Sequence, residues 1–184
     1  MARDIHYFAY GTLQQGLSNY ADMTDVLGEP LGRFRTADPF AVVVPHERGC
    51  ANPGCSLLHR MAALVPRVGS LQVEGDVYLV DADGLRVVDR LESYDSAQTT
   101  GPYVRRAVDV VSLDGATQLA AQAYLVRDPA PWRALVAMGR ADAVARYTAD
   151  MATSTPKDCC MRAPGHAGPH DTIDPLRGAV GGLP

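Results

Sequence analysis

Three groups of residues in this chain are of types that do chemistry. The first is a carboxylate, Glu92, near the end of DADGLRVVDRLESY (81–94). Leu85, Val87, Val88 and Leu91 recur at helical spacing behind an Asp N-cap, which predicts an amphipathic helix from Asp83 to Tyr94. At 100° per residue Glu92 falls roughly 70° from the centre of the apolar face, and Asp89 about 130° from it. Glu92 therefore borders the core face and Asp89 is expected to point to solvent. A carboxyl at the edge of an apolar face loses hydration, and its pKa rises toward values useful in proton transfer. Judged from this helix alone, a structural Glu92 that reaches to water or pairs with an arginine is the stronger reading.

The second group is FAYGTLQQGLSNY (8–20), where Phe8, Ala9 and Tyr10 close a first strand and Gly11 turns the chain. The third is cysteine and histidine. HERGCANPGCSLLH holds His46, Cys50, Cys55 and His59, and CCMRAPGHAGPH holds Cys159, Cys160, His166 and His170. Zinc takes such ligands in fours, which makes Cys50, Cys55, Cys160, His166 and His170 candidates for a structural ion. Neither cluster has the spacing of a familiar finger. An ordinary loop, with Cys55 as a small buried residue, and a disordered tail are the competing readings.

The elements that must position these groups follow from periodicity and punctuation. Asp4–Tyr10 reads as a strand ended by Gly11, and Gly16–Leu27 as ambiguous, with room for a helical turn. Phe40–Val44, a continuous apolar run between Pro39 and Pro45, reads as a buried strand. His46–Pro66 is turn-rich and reads as irregular. Gln72–Val80 reads as a strand with a bulge at Gly75. Tyr103–Leu113 and Gln118–Val126 read as a hairpin through Asp114-Gly115. Pro131–Ala149 reads as a second helix, with Pro131 in its first turn and Trp132, Leu135, Val136, Val144 and Tyr147 on its apolar face. From Thr153 onward the chain is rich in Pro, Gly and polar residues and reads as a tail. Strands outnumber helices, so the expected class is α+β, with a small, mostly antiparallel β-barrel and flanking helices.

Composition excludes several functions. The 184 residues carry a net charge of −4, with scattered basic residues, which speaks against nucleic acid as the main partner. No apolar run approaches the roughly 20 residues needed to cross a bilayer, and MARDIHYFAYG lacks the apolar stretch of a signal peptide. A cytoplasmic protein with reduced cysteines, a monomer or homodimer, is expected.

Two blocks together resemble one family. Tyr10-Gly11-Thr12-Leu13 with Gly16 and Asn19, then VEGDVYLVD (73–81), LRVVDRLESY (85–94) and Tyr103-Val104-Arg105-Arg106, are similar in order and spacing to the γ-glutamylcyclotransferase-like superfamily. The likeness is nearest to its branch of γ-glutamylamine cyclotransferases and bacterial tailoring enzymes, and covers roughly residues 4–126. It implies a β-barrel with a pocket at one mouth, residues 1–150 as the catalytic domain and 151–184 as a C-terminal tail. It implies that the loop Tyr10–Leu13 holds a glutamyl head and that Glu92 is the general acid/base, cyclising a γ-glutamyl group to 5-oxoproline and releasing an amine or amino acid. The substrate supplies its own nucleophile, so neither an enzyme nucleophile nor a cofactor is required. What the protein must supply is proximity, proton transfer and an anion site, and a glycine loop presents backbone N–H groups for the last of these. Thr12 adds a hydroxyl; Tyr10, Tyr103 and Asn19 remain unranked as residues that orient the head. Ser93 stands where a glycine would be common, and the segments His46–Pro66 and DSAQTTGP (95–102) depart from compact members, which leaves the amine open. A non-catalytic γ-glutamyl-binding module and an amidohydrolase releasing glutamate are the competing functions.

Overall fold

The computed structural model describes residues 2–46, 62–97 and 101–154. Among these residues are eight strands: β1 (Ile5–Ala9), β2 (Gly32–Thr36), β3 (Phe40–Pro45), β4 (Ala63–Pro66), β5 (Glu74–Val80), β6 (Tyr103–Ser112), β7 (Gln118–Val126) and β8 (Ala141–Val144). They form one sheet in the order β1-β5-β2-β6-β7-β4-β3-β8. A parallel β1–β7 pairing, Tyr7 opposite Gln122, closes β1, β5, β2, β6 and β7 into a five-stranded barrel. Strands β4, β3 and β8 extend the sheet from β7. Among the described residues four short α-helices flank it: α1 (Thr24–Leu27), α2 (Ala82–Leu91), α3 (Ala130–Ala137) and α4 (Ala149–Ser154). This is the expected α+β barrel.

Alternation along the strands divides the core in two. Phe8, Val77, Val110 and Ala121 belong to one apolar cluster, with Phe34, Leu64 and Val73. Tyr7, Ala9, Tyr78 and Val80 belong to the other, with Leu85 and Val88 of α2 and Trp132 of α3. Each fully buried Val or Leu side chain contributes on the order of 1.5–3 kcal/mol, so α2 is fastened to β1 and β5 by packing rather than by helix propensity. The β6–β7 hairpin pairs nine residues on each strand. It turns through Gly115 at φ +77°, the conformation that suits the Asp-Gly pair.

Several expectations are corrected. No bulge occurs at Gly75: the register runs unbroken through Phe34 opposite Gly75 and Ala9 opposite Asp76. The glycine is there because a Cβ would overlap the Ala9 carbonyl oxygen and the Phe8 ring. The segment Pro131–Ala149 is not one helix. Gly139 adopts φ +67°, its N–H donates to Val136 and that of Arg140 to Leu135. This is a Schellman stop, and the chain beyond it pairs with β3 as β8. Within His46–Pro66, residues 63–66 form strand β4 between β3 and β7, and β2 occupies a stretch that the sequence pattern did not mark. Among the described residues no helix is long and apolar enough to cross a membrane.

Candidate active site

The carboxylate comes first. Asp81 caps α2 by accepting the N–H of Gly84 at 2.8 Å, and Leu85 and Val88 bury the helix on the barrel. The helix ends at Glu92, its C-cap residue (φ −81°, ψ 5°). Ser93 then turns into the left-handed region at φ +51°. Its N–H donates to Arg90 at 3.1 Å and the N–H of Tyr94 to Asp89 at 2.8 Å, a second Schellman motif. Ser93, the position where glycine was the expectation, is therefore the residue that needs glycine-like backbone freedom.

The loop after β1 is held from beneath. Gln14 is buried, and its amide donates to the carbonyls of Tyr10 (2.9 Å), Gly11 (3.2 Å) and Tyr147 (3.3 Å). Asp76 accepts the N–H of Gln15 at 2.7 Å, and the Tyr78 hydroxyl donates to the Leu13 carbonyl at 3.0 Å. Asn19 closes the loop twice, with its N–H on the Thr12 carbonyl and its amide on Thr12 Oγ1. These bonds consume carbonyls. The N–H groups of Gly11, Thr12 and Leu13 donate to no acceptor among the described residues.

Loop and helix end meet at a cavity of about 320 Å³. Tyr10, Gly11, Thr12, Leu13, Asn19, Glu92 and Tyr103, the residues singled out in the sequence, all line it. The rest of the lining is Tyr7, Ala62, Leu91, Ser93, Pro102 and Tyr147. Among the described residues no Lys or Arg lines it, and Glu92 is its one carboxylate. Burial pushes the Glu92 pKa from 4.5 up to about 7, because the aromatic walls replace the water that would solvate its charge. The phenols of Tyr7, Tyr10 and Tyr103 are pushed up as well, first by burial and then by neighbours that include Glu92. They stay neutral hydrogen-bond donors.

The geometry also separates the residues expected to orient a glutamyl head. The Tyr10 hydroxyl is spent on the Tyr124 carbonyl at 2.7 Å, and the Asn19 amide on Thr12. Tyr7, Tyr103 and Tyr147 line the cavity, and their hydroxyls have no hydrogen-bond partner among the described residues. Tyr7 and Tyr147 were missed in the sequence. For Tyr7 the available signal was alternation, which puts it on the face of β1 opposite Phe8 and Tyr10. Tyr147 gave none, since its place depends on the β8–β3 pairing. Gln14 does not line the cavity but lies under the loop.

Asp89 is also corrected. Its carboxylate does not face solvent but accepts the Tyr124 hydroxyl at 2.7 Å and contacts Arg105 Nη1 at 2.6 Å through both oxygens. Arg105 of β6 and Tyr124 of β7 reach across to a position that the helix pattern alone leaves open.

For metal, no cluster of three or more His, Cys, Asp or Glu occurs among the described residues. His46 pairs with Asp142 at 2.8 Å. The zinc candidates Cys50, Cys55, Cys160, His166 and His170, with His59 and Cys159, lie outside the described residues.

Known proteins share parts of this sequence and fold. An AIG2-like protein from Mus musculus, of known crystal structure, is 26% identical over 71% of this chain and 83% of its own, with a TM-score of 0.52. An uncharacterised protein from Pyrococcus horikoshii is 15% identical, covering 68% of this chain and 80% of its own, with a TM-score of 0.43. No curated protein matches the chain. The family model described as gamma-glutamyl cyclotransferase, AIG2-like, matches residues 7–141, and the chain belongs to that family.

Proposed function

We propose that this protein cyclises a γ-glutamyl amide to 5-oxoproline and releases the free amine. The observation that carries the reading is Glu92, a carboxyl lifted to about pH 7 in a cavity whose other wall is the loop Gly11–Leu13 with unused N–H groups. The loop binds the glutamyl α-carboxylate, an anion for which no side-chain cation is present in the described lining. The hydroxyls of Tyr7, Tyr103 and Tyr147 are the neutral donors left for the γ-carbonyl oxygen as it gains charge.

In the reaction the α-nitrogen attacks the γ-carbonyl carbon, a C–N bond forms, and the C–N bond to the departing amine breaks. Two protons leave the α-ammonium and two reach the leaving nitrogen, so no proton is consumed. A carboxyl that exchanges near neutral pH relays them in turn. Holding nitrogen and carbonyl together is the larger share of the work, since oriented intramolecular attack removes several kcal/mol from the barrier. The scheme uses no metal or organic cofactor and no enzyme nucleophile. The test is a panel of γ-glutamyl amides with 5-oxoproline and amine measured together. Equal amounts of both support cyclisation; free glutamate would mean water is the nucleophile, and binding without product would mean a non-catalytic module.

A further inference from the structure

Glu92 shares the last turn of α2 with one other carboxylate, Asp89. Three residues apart on a helix, two side chains stand on neighbouring rows with Cβ atoms about 5–6 Å apart. An unpaired Asp89 would set a negative charge against the group whose proton affinity governs the site. It is paired instead. Arg105 Nη1 lies 2.6 Å from both carboxylate oxygens and the Tyr124 hydroxyl donates to one of them. The Arg105 guanidinium rests over the Tyr94 ring at 5.2 Å. The Asp89 and Arg105 side chains are only 17% and 24% exposed, so water screens them weakly.

The same cluster is mechanical. Asp89 gives its carbonyl to the Tyr94 N–H that closes the helix end, and Tyr124 gives its carbonyl to the Tyr10 hydroxyl. Helix end, hairpin and substrate loop are joined through it. We propose that Arg105 is a positioning residue for Glu92: it holds Asp89, and with it the last turn of α2, against the β6–β7 hairpin and neutralises the carboxylate beside the acid/base. The proposal rests on the proton-transfer role given to Glu92 above.

The other groups facing Glu92 do not supply this charge balance. Tyr7 from β1, Tyr10 from the loop and Tyr103 from β6 are neutral phenols, as is Tyr147 across the cavity. On α2 itself Arg90 is exposed, where its charge is largely screened.

The experiment is a ¹³C NMR titration of the Glu92 side-chain carboxyl in protein labelled at glutamate, assigned with Glu92→Gln and run without substrate. Arg105→Gln is expected to raise the Glu92 midpoint by about one pH unit, the size of a like-charge contact at an effective dielectric near 20 softened by relaxation. Asp89→Asn, which leaves Arg105 as an unpaired cation, is expected to lower it. The double variant is expected to return within about 0.3 pH unit of wild type. Midpoints unmoved in the single variants, or a double variant that fails to return, overturn the proposal. If Arg105→Gln does not fold, the downward shift in Asp89→Asn decides alone. The pH limb of kcat/KM should follow the same shifts. A protein that turns over no γ-glutamyl amide refutes the cyclotransferase reading and leaves this titration readable.

Discussion

The N–H of Tyr94 donates to the carbonyl oxygen of Asp89 at 2.8 Å, and the turn it closes carries Glu92 at the cavity wall. Everything proposed for the site depends on that turn, and the turn depends on Ser93 holding φ +51°. A non-glycine residue there costs on the order of 1 kcal/mol. Ser93→Gly is therefore expected to stabilise the fold by about 0.5–1 kcal/mol, read as a higher midpoint in urea. A destabilised Ser93→Gly would mean that the serine side chain contributes more than its backbone costs.

The loop that follows β1 is held by Gln14. Gln14→Leu keeps the volume and strips one donor from three carbonyls. A loss of about 1–3 kcal/mol of stability is expected, together with a raised KM as Gly11–Leu13 loosens. Unchanged stability and KM would show that Gln14 does not hold the loop.

Gly11 separates binding from folding. Its φ is not positive, and a Cβ built on it meets nothing within 4 Å. Gly11→Ala should leave the melting temperature unchanged and raise KM about tenfold, near 1.4 kcal/mol, because the methyl stands where the substrate approaches the backbone. A lower melting temperature with normal KM would place the glycine's role in the fold.

How much of this was legible beforehand divides along physical lines. Asp81, Leu85, Val88 and Glu92 lie within one helix, and Asp114-Gly115 within one turn, so local pattern was enough. The loop and Glu92 converge although 80 residues separate Thr12 from Glu92; for that the family resemblance was needed. Strand β2, GRFRT, hides because its arginines give it a polar look while Phe34 and Thr36 are buried. Strand β8, ADAV, is alanine-rich and helix-like by propensity, but the open edge of β3 recruits it. Asp89 was misread because a helical projection records only the helix's own apolar residues. Its partners Arg105 and Tyr124 come from strands 16 and 35 residues away in sequence.

Burial of Glu92 also predicts a pH-dependent stability. Its folded-state pKa, about 7, lies above the ordinary 4.5, so the folded protein holds a proton that the unfolded chain has released between these values. Stability from this group is full below about pH 4.5, falls as pH rises through that window, and stays reduced above pH 7. Glu92→Gln lacks this loss. It should equal wild type at about pH 4 and exceed it by roughly 1–3 kcal/mol at pH 8, measured by denaturant unfolding. A difference independent of pH would show that Glu92 titrates normally.

The most direct measurement is product formation by wild type and Glu92→Gln from the same γ-glutamyl amide at pH 7–8. The expected result is 5-oxoproline and amine in equal amounts from wild type. From a folded Glu92→Gln, turnover should fall by about 10²–10⁴-fold. Near-wild-type 5-oxoproline release by Glu92→Gln, or glutamate in place of 5-oxoproline, would contradict the mechanism.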